Sequence, residues 1–359
     1  MKYYVSEYQL VDGTARTAGT KARADIGYIL DDLGYKKIEI PANTVDRAKL
    51  PLIKKVCFHF SIYKKWKKAL SCVEAGDTLI IQFPNIEHSV LLSTLFFSLR
   101  VKKVKVVLFI HDLELIRSGK AAYTTFLKRI RLFIEDRLSL KAAGIVILHN
   151  KHMRDYVIKN LKIRPSKLRV LKIFDYIIPD FDEDRAAERD LSLDGPVMIA
   201  GNLRRHKSGY VYDLPEGIPF NLYGVDYTGP VNDDVKYFGS FEPEELPYVL
   251  SGSFGLVWDG DSPGTCSGAL GEYLKINNPH KTSLYLASGI PVIIWSKAAL
   301  ADFVKKKACG ITVDSLYDIP KAIASVTPKT YESMKANARN ISKRLRDGYY
   351  TKHVLGEEK

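Results

Sequence analysis

Residues 277–293, NNPHKTSLYLASGIPVI, pass from a short helical pattern through Ser288-Gly289 into an apolar strand. A helix that runs directly into a buried strand is typical of α/β proteins. Pro279 and Lys281 stand at the start of this helix. Because the N-terminal end of a helix already carries partial positive charge, a lysine there points to a bound anion. The alternative is an ordinary surface lysine.

The same alternation of apolar runs and amphipathic stretches continues along the whole chain. The apolar runs predict strands at residues 3–10, 36–40, 77–83, 104–112, 144–150, 168–174, 196–202, 220–225, 235–239, 254–261, 291–295 and 310–313. The amphipathic stretches predict helices at residues 21–33, 59–74, 88–99, 122–140, 151–160, 243–250, 281–288, 297–306 and 315–325. Continuous apolar strands separated by helices indicate parallel sheets covered on both faces. We therefore predict an α/β protein with two Rossmann-like domains.

A change of composition predicts where the two domains meet. With 359 residues, the chain has the length of two domains of ordinary size. The segment DYIIPDFDEDRAAERDLSLDG at residues 175–195 is acidic and lacks an apolar period. The predicted divisions are an N-terminal domain at 1–175, a linker at 176–195, a C-terminal domain at 196–340, and a basic helix at 341–359 that crosses back to the N-terminal domain.

Composition excludes several classes of protein. A hydrophobic content of 46% with 26% charged residues is that of a globular chain, and no segment has the roughly 20 apolar residues of a membrane-spanning helix. The N-terminus has no apolar core of signal-peptide length. The four cysteines show no metal-ligand spacing, which argues against disulfides or zinc. We expect a cytoplasmic protein.

Charge is distributed unevenly. The net charge is +13; residues 1–175 carry 33 Lys/Arg against 16 Asp/Glu (+17), and residues 176–359 carry 21 against 25 (−4). Such asymmetry suggests that the first half faces a polyanion, either nucleic acid or an anionic membrane surface.

Ligands of doubly wound sheets bind beyond the carboxyl ends of the strands, so residues that follow strands are the candidate site. In the second half, AGNLRRHKSG at 200–209 offers Arg204, Arg205 and Lys207, and guanidinium groups bind phosphate oxygens in a bidentate manner. Together with Lys281, this segment favours a diphosphate, although a solvated basic turn explains it as well. No dinucleotide, P-loop, esterase or zinc-protease motif occurs.

In the first half, His111-Asp112 closes an apolar strand, and Asp112 could act as a general base toward an acceptor hydroxyl. Alternatively, Asp112 only caps the following stretch. Gly19 and Thr20 precede a predicted helix and could contact the acceptor or the donor, but a simple N-cap at Thr20 accounts for them almost equally well.

Six segments carry a resemblance to a known family. They are AGTKARADIGYILDDLGYKKIEI (18–40), VVLFIHDLELIRSG (106–119), AGNLRR (200–205), FGLVWDGDS (254–262), GEYLKINNPHKTSLYLASGIPVIIW (271–295) and LRDGYYTKHVL (345–355). With these segments, the chain resembles the two-domain GT-B glycosyltransferases over nearly its whole length. Within that class it is similar to bacterial beta-1,6-galactofuranosyltransferases and to the related glucosyltransferases of serine-rich adhesin glycosylation.

The resemblance implies a UDP-sugar donor in a cleft between the two facing domains, held mainly by the second domain. The implied donor-binding residues are Arg205 and Lys281 on the diphosphate, Phe241 near the uracil or ribose, and Asn202, Gly201 and Thr20. The implied sugar- or acceptor-binding residues are Asp259, Asp261, Gly19 and Lys21. The resemblance implies no cofactor and no metal, because cationic side chains and a helix dipole stabilise the leaving diphosphate.

One departure from the GT-B pattern bears on stereochemistry. Many retaining members carry two glutamates eight residues apart, and the corresponding positions here are Ile276 and Leu284. This favours inversion, with Asp112 and His111 as the catalytic residues. Asp25 and Asp259 are alternative bases.

The resemblance also implies the partners. The acceptor would be a glycan, glycolipid or glycoprotein, and SIYKKWKKAL (61–70) with LKRIRLFIEDRL (127–138) would dock an anionic membrane surface from the cytoplasmic side, with Trp66 at the headgroups. Transfer of glucose is the alternative within the class. A nucleic-acid-binding protein is the alternative outside it, but no zinc-finger or RRM motif occurs. Assembly into homo-oligomers is left open.

Overall fold

The computed structural model describes residues 1–9, 20–43, 51–117 and 126–356. These residues divide into two compact units. Described residues up to 9 and between 27 and 171 form unit 1, and residues 20–26 and 172–356 form unit 2.

Unit 1 is built on one six-stranded parallel sheet of order β2-β1-β3-β4-β5-β6. Its strands are β1 (Lys2–Gln9), β2 (Lys36–Ala42), β3 (Thr78–Phe83), β4 (Lys105–Ile110), β5 (Ile145–Leu148) and β6 (Leu168–Val170). Helix α1 (Lys21–Asp32) begins in unit 2 and continues into unit 1 from residue 27. The other helices of unit 1 are α2 (Leu52–Ala69), α3 (Leu92–Val101), α4 (Glu114–Arg117), α5 (Phe126–Ala142) and α6 (Lys151–Leu161). The central strands β3, β4 and β5 are buried almost throughout, as expected of a parallel sheet covered on both faces.

Unit 2 repeats this plan with a second six-stranded parallel sheet of order β12-β11-β10-β7-β8-β9. Its strands are β7 (Val197–Asn202), β8 (Phe220–Val225), β9 (Val235–Tyr237), β10 (Gly255–Val257), β11 (Val292–Trp295) and β12 (Gly310–Val313). Its helices are α7 (Glu183–Ala187), α8 (Leu246–Val249), α9 (Gly268–Leu274), α10 (His280–Ala287), α11 (Ala301–Lys307), α12 (Ile319–Ala324), α13 (Pro328–Arg346) and α14 (Tyr349–Leu355).

Every predicted strand is present, and the two-domain α/β fold is confirmed. Helix starts differ more from prediction. The helix predicted at 59–74 begins seven residues earlier, at Leu52, directly after Pro51. Proline is compatible with a helix start, so the lysine-rich turn that follows it extends the helix. The predicted linker contains α7, whose first turn is capped by the Asp182 side chain accepting the N–H of Arg185 at 2.9 Å.

The final helices α13 and α14 group with unit 2, and the expected return of residues 341–359 to the N-terminal domain stays a prediction. Three contacts explain this grouping. α13 packs along α10, and the carboxylate of Asp175 accepts the N–H groups of Tyr350 and Thr351 at 3.1 and 2.7 Å. These bonds satisfy free N–H groups in the first turn of α14.

Candidate active site

A cavity of about 410 Å³ lies in unit 2 at the carboxyl ends of β7 and β8. The two strand ends supply main chain around Gly201 and Gly224, and the loop after β9 supplies Ser240 and Phe241. The start of α10 closes another side with His280 and Lys281. This is the edge at which ligands of parallel sheets bind.

Glycines make the strand ends of the cavity possible. Gly201 and Gly224 have φ of 144° and 156°, a region that side chains rarely adopt. A Cβ on Gly224 would lie 1.8 Å from the carbonyl oxygen of Gly201. The two strands therefore present bare backbone to the cavity, and only glycine fits at position 224.

α10 is fixed against the sheet by buried hydrogen bonds. The Tyr285 hydroxyl accepts the N–H of Ala200 on β7 at 2.7 Å, and the Ser283 hydroxyl donates to the carbonyl of Phe174 at 2.7 Å. Pro279 at the N-cap forms no side-chain cap bond with the first turn. The positive end of the helix is thus held at the cavity wall without a side-chain acceptor from its own cap.

Lys281 forms an ion pair at this helix start. Its Nζ donates to Asp259 Oδ1 and to the Trp258 carbonyl, both at 2.8 Å. The side chains of Lys281 and Asp259 are 18% and 21% exposed. Burial alone would lower the pKa of Lys281, but the charge of Asp259 and its hydrogen bond outweigh burial and raise the pKa overall. Lys281 is therefore a fixed cation beside the cavity, with Asp259 as its counter-ion.

A second charged cluster forms around Lys21 at the start of α1. The Nζ of Lys21 donates to Asp25 Oδ1 and to the carbonyl of Ile177, both at 2.7 Å, and it lies 3.2 Å from Glu244 Oε1. It also stands 5.1 Å from the ring centre of Tyr176, which lines the cavity. This buried ammonium binds protein acceptors, so it holds the first turn of α1 in place within unit 2.

Asp25 and His280 meet beside this cluster. Asp25 Oδ2 and His280 Nε2 lie 3.9 Å apart, and neither atom has a hydrogen-bond partner among the described residues. Burial raises the pKa of Asp25 to about 6, against the lowering effect of Lys21, and burial lowers the pKa of His280 to about 4. His280, stacked on Tyr176 at 5.1 Å, is therefore neutral near pH 7. A carboxyl with a pKa near neutrality has the proton affinity of a general base.

The basic segment after β7 divides among three environments. Arg204 pairs with Asp226 at 2.6 Å, and the exposed guanidinium of Arg205 lies 4.3 Å from the ring centre of Tyr212. Lys207 lines the cavity, and Arg205 is not among the lining residues. The structure thus brings Gly201, Asn202, Phe241 and Lys281 to one cavity and places Arg205 on the ring of Tyr212.

The two aspartates expected at sugar hydroxyls lie in different surroundings. Asp259 is the partner of Lys281, as described above. Asp261 is exposed and packs closely on Gly209, where an added Cβ would lie 3.0 Å from the Cα of Asp261.

The candidates in the first half of the chain follow β4 or precede α1. His111 Nε2 lies 2.7 Å from Gln82 Oε1, and Asp112 Oδ2 lies 3.4 Å from Arg117. These residues belong to unit 1. Thr20 is exposed at the start of α1, and Gly19 lies outside the described residues.

Sequence reasoning missed three residues of the site. His280 was detectable, because it directly precedes Lys281 at the same helix start. Tyr176 was assigned to a linker, and Glu244 comes from a loop without a motif. Both reach the site only through tertiary packing.

The described residues contain neither a membrane-spanning helix nor a cluster of metal ligands. No helix there is both long and apolar enough to cross a bilayer. Across the described ranges, no group of three or more His, Cys, Asp or Glu side chains is arranged to hold a metal ion.

Known structures share this architecture over almost the whole chain. Sucrose-phosphate synthase from Thermosynechococcus elongatus superimposes with a TM-score of 0.66 at 15% identity, covering 99% of this chain and 96% of that one. Trehalose 6-phosphate synthase from Burkholderia multivorans gives a TM-score of 0.56 at 10% identity, with 99% and 96% coverage. Both are GT-B glycosyltransferases, and the protein has the GT-B fold.

Sequence relatives define the group more narrowly. The models of the N-terminal and C-terminal domains of Glucosyltransferase 3-like proteins match residues 2–161 and 197–358. The chain is 37% identical over 344 residues to the beta-1,6-galactofuranosyltransferase WbbI of Escherichia coli K12, covering 95% of this chain and 94% of that protein. It is 26% identical to Glucosyltransferase 3 of Streptococcus gordonii, with 80% of each chain covered. The protein belongs to the Glucosyltransferase 3-like family of glycosyltransferases.

Proposed function

We propose that the protein transfers galactofuranose from UDP-galactofuranose to a sugar acceptor of a cell-surface polysaccharide or glycoconjugate, with inversion and without a metal ion. The observation that carries this proposal is the 37% identity to a beta-1,6-galactofuranosyltransferase over 95% of the chain. Transfer of glucose from UDP-glucose is the second candidate, because two Glucosyltransferase 3 proteins are 26% and 24% identical to this chain.

The cavity of unit 2 supports a nucleoside diphosphate. Its aromatic and backbone walls at Phe241, Tyr223 and Gly224 suit a planar base and a ribose, and Lys281 with the start of α10 suits a diphosphate. As the sugar leaves, negative charge grows on the diphosphate, and a fixed cation beside it stabilises that charge. This cationic stabilisation is the argument for metal-independent transfer.

Asp259 would compete with the diphosphate for Lys281 at the proposed donor site. In the free protein Asp259 neutralises Lys281. A bound diphosphate would compete with this carboxylate for the ammonium group, so the lysine changes partner instead of being desolvated alone. Arg205 stays a proposed second ligand of the diphosphate, and its guanidinium would have to leave the ring of Tyr212.

The proposed base is Asp112, with His111 beside it, at the carboxyl end of β4. The side chain of Asp112 is 30% exposed, which leaves room for an acceptor hydroxyl. Asp259 is occupied by Lys281, and Asp25 is 3% exposed and bonded to Lys21. Asp25 nevertheless has the raised pKa described above, so it is the rival that an experiment must separate from Asp112.

Ligand binding is tested by thermal shift with UDP, UDP-galactofuranose and UDP-glucose. A ligand at 100 times its Kd stabilises the folded protein by about 2.7 kcal/mol. Lys281→Ala should weaken UDP binding by about ten- to a hundredfold, the loss of one charge-assisted contact. Lys275→Ala is the matched control, because Lys275 lies six residues earlier and pairs with the exposed Glu272. Equal shifts in all three proteins would refute the assigned site.

Turnover with a glycan acceptor tests the chemistry. We expect galactofuranose transfer with an inverted anomeric configuration, measured by NMR of the product, at a rate that EDTA leaves unchanged. Asp112→Asn should lower kcat by about 10²- to 10⁴-fold without weakening UDP binding. If Asp25→Asn lowers kcat by this factor and Asp112→Asn does not, then Asp25 is the catalytic base. Transfer of glucose but not galactofuranose would reject the proposed donor sugar. A product with a retained anomeric configuration would reject the proposed inversion.

A further inference from the structure

Three neighbouring helices of unit 1 expose large apolar side chains to solvent. α3 contacts both α2 and α5, so the three helices form one layer beside the sheet. We call their solvent-exposed sides together the outer helical face. Exposed apolar residues scattered singly need no explanation, but a contiguous group marks a surface that something covers.

α5 carries the most regular part of this face. Phe126, Ile130, Ile134 and Leu138 follow one another at intervals of four and are between 38% and 76% exposed. Residues four apart lie on the same side of a helix, so the four side chains form one apolar stripe. An ordinary surface helix turns its apolar residues toward the core, whereas α5 buries Leu132 and Leu140 and exposes this stripe in addition.

The acidic residues of α5 do not reach this stripe. Glu135 and Asp136 are the acids of the helix, and both are buried. Glu135 pairs with Arg131 at 3.6 Å, and Asp136 accepts the N–H of Leu115 at 3.3 Å. The exposed charges of the helix, including Lys128 and Lys141, are therefore basic.

α2 divides its exposed side between apolar and basic residues. Ile53, Val56 and Phe60 are between 48% and 78% exposed in its first half. Lys64 and Lys68 are exposed on the same side one and two turns further on. The helix contains six lysines and no acidic residue.

Trp66 does not belong to this face, contrary to expectation. It is completely buried and meets Phe96 edge to face at 6.1 Å between ring centres. The sequence pattern correctly located a basic helix but misassigned its aromatic residue, because periodicity shows which residues share a face and not which face is covered. Phe60 is the exposed aromatic residue of α2, and Phe97 with Val101 adds exposed apolar area from α3.

We propose that the outer helical face of α2, α3 and α5 docks on a lipid bilayer with anionic headgroups. Apolar side chains that reach the acyl boundary, flanked by lysines that reach the headgroups, are the two components of interfacial membrane binding. A second copy bound through this face would offer the lysines no opposite charge, since a two-fold contact joins the same patch to itself and the exposed charges of α2 and α5 are basic. The charge of the face therefore favours lipid, and the inference does not depend on the identity of the donor sugar.

Co-sedimentation of the full chain with vesicles tests this inference. We expect the protein to pellet with vesicles of phosphatidylcholine and 30% phosphatidylglycerol, and to stay in solution with phosphatidylcholine alone. Lys64→Glu/Lys68→Glu should lower the partition coefficient by at least about thirtyfold. Ile130→Ser/Ile134→Ser should lower it by about tenfold or more, because less apolar area is buried.

Control variants in unit 2 distinguish an effect of the outer helical face from an effect of overall charge or hydrophobicity. Lys305→Glu/Lys306→Glu makes the same charge change at exposed residues of α11, and Val231→Ser removes an exposed apolar side chain. Both controls should bind vesicles like the wild type. Equal losses in control and test variants would overturn the inference. So would a wild-type dimer in analytical ultracentrifugation that the Ile130/Ile134 variant converts to a monomer, because the face would then bind a second copy.

Discussion

At the scale of single residues, the pair formed by Lys281 and Asp259 decides how the proposed donor site behaves when empty. A half-buried ammonium without a partner would be costly, and Asp259 removes that cost in the free protein. The same carboxylate then opposes a bound anion, because it occupies a hydrogen-bond position that the diphosphate would use. Stability of the free protein and affinity for the donor should consequently change in opposite directions when Asp259 is neutralised.

Asp259→Asn tests this opposition. The variant should lower the unfolding free energy of the free protein by about 1–3 kcal/mol, since Lys281 loses its counter-ion. Its thermal shift with UDP should exceed that of the wild type, because the diphosphate no longer competes with a carboxylate. Differential scanning calorimetry with and without UDP measures both effects. A smaller UDP shift in the variant would mean that Asp259 assists donor binding and does not oppose it.

At the scale of elements, strands were predictable and the contacts between distant elements were not. Apolar, β-branched runs such as 106–110 and 292–295 can form little other than buried strands, so the runs and the strands coincide. Lys281 was identifiable because its helix start and its charge are adjacent in sequence. The cluster of Lys21, Asp25 and His280 joins segments far apart in the chain, and no local pattern contains that information.

The buried histidine that follows β5 leads to a prediction about how the stability of the protein depends on pH. His149 is buried, with Nε2 3.1 Å from the Ile110 carbonyl, and burial lowers its pKa to about 4. An unfolded histidine has a pKa near 6.5, so His149 contributes stability above that pH and loses it as the pH falls toward 4. At pH 4.5 the loss attributable to His149 is about 2–3 kcal/mol.

His149→Gln removes this titration and keeps a polar side chain. Relative to the variant, the wild type should lose about 2–3 kcal/mol of unfolding free energy between pH 7.5 and 4.5. Buried carboxyls with raised pKa values, such as Asp25 and Asp175, act in the opposite direction, but they are common to both proteins and cancel in the difference. Urea unfolding across this pH range provides the measurement. Parallel stability curves would show that His149 has the same pKa in the folded protein as in the unfolded chain.

At the scale of the whole molecule, the two units carry different chemistry. The first 175 residues hold the excess positive charge and the outer helical face, and the remaining residues hold the nucleotide-sized cavity and a small negative excess. The two proposed roles, binding a soluble donor and docking on an anionic surface, would benefit from this separation, since a strongly cationic donor site would also bind phosphates unselectively. Donor binding is thus proposed for unit 2 and membrane docking for unit 1, which leads to a prediction about hydrogen exchange.

Amide hydrogen exchange with and without UDP tests whether the nucleotide binds in unit 2. The described residues that line the cavity belong to unit 2, so UDP should slow amide exchange near 200–207, 223–225, 240–246 and 280–284. Exchange in β3, β4 and β5 should not change. Uridine lacks the diphosphate, so it should protect the ends of β7 and β8 while leaving the start of α10 exchanging as in the free protein. If uridine protects α10 as strongly as UDP does, then Lys281 does not hold the diphosphate, and the direction of the nucleotide in the cavity is the reverse of the one proposed.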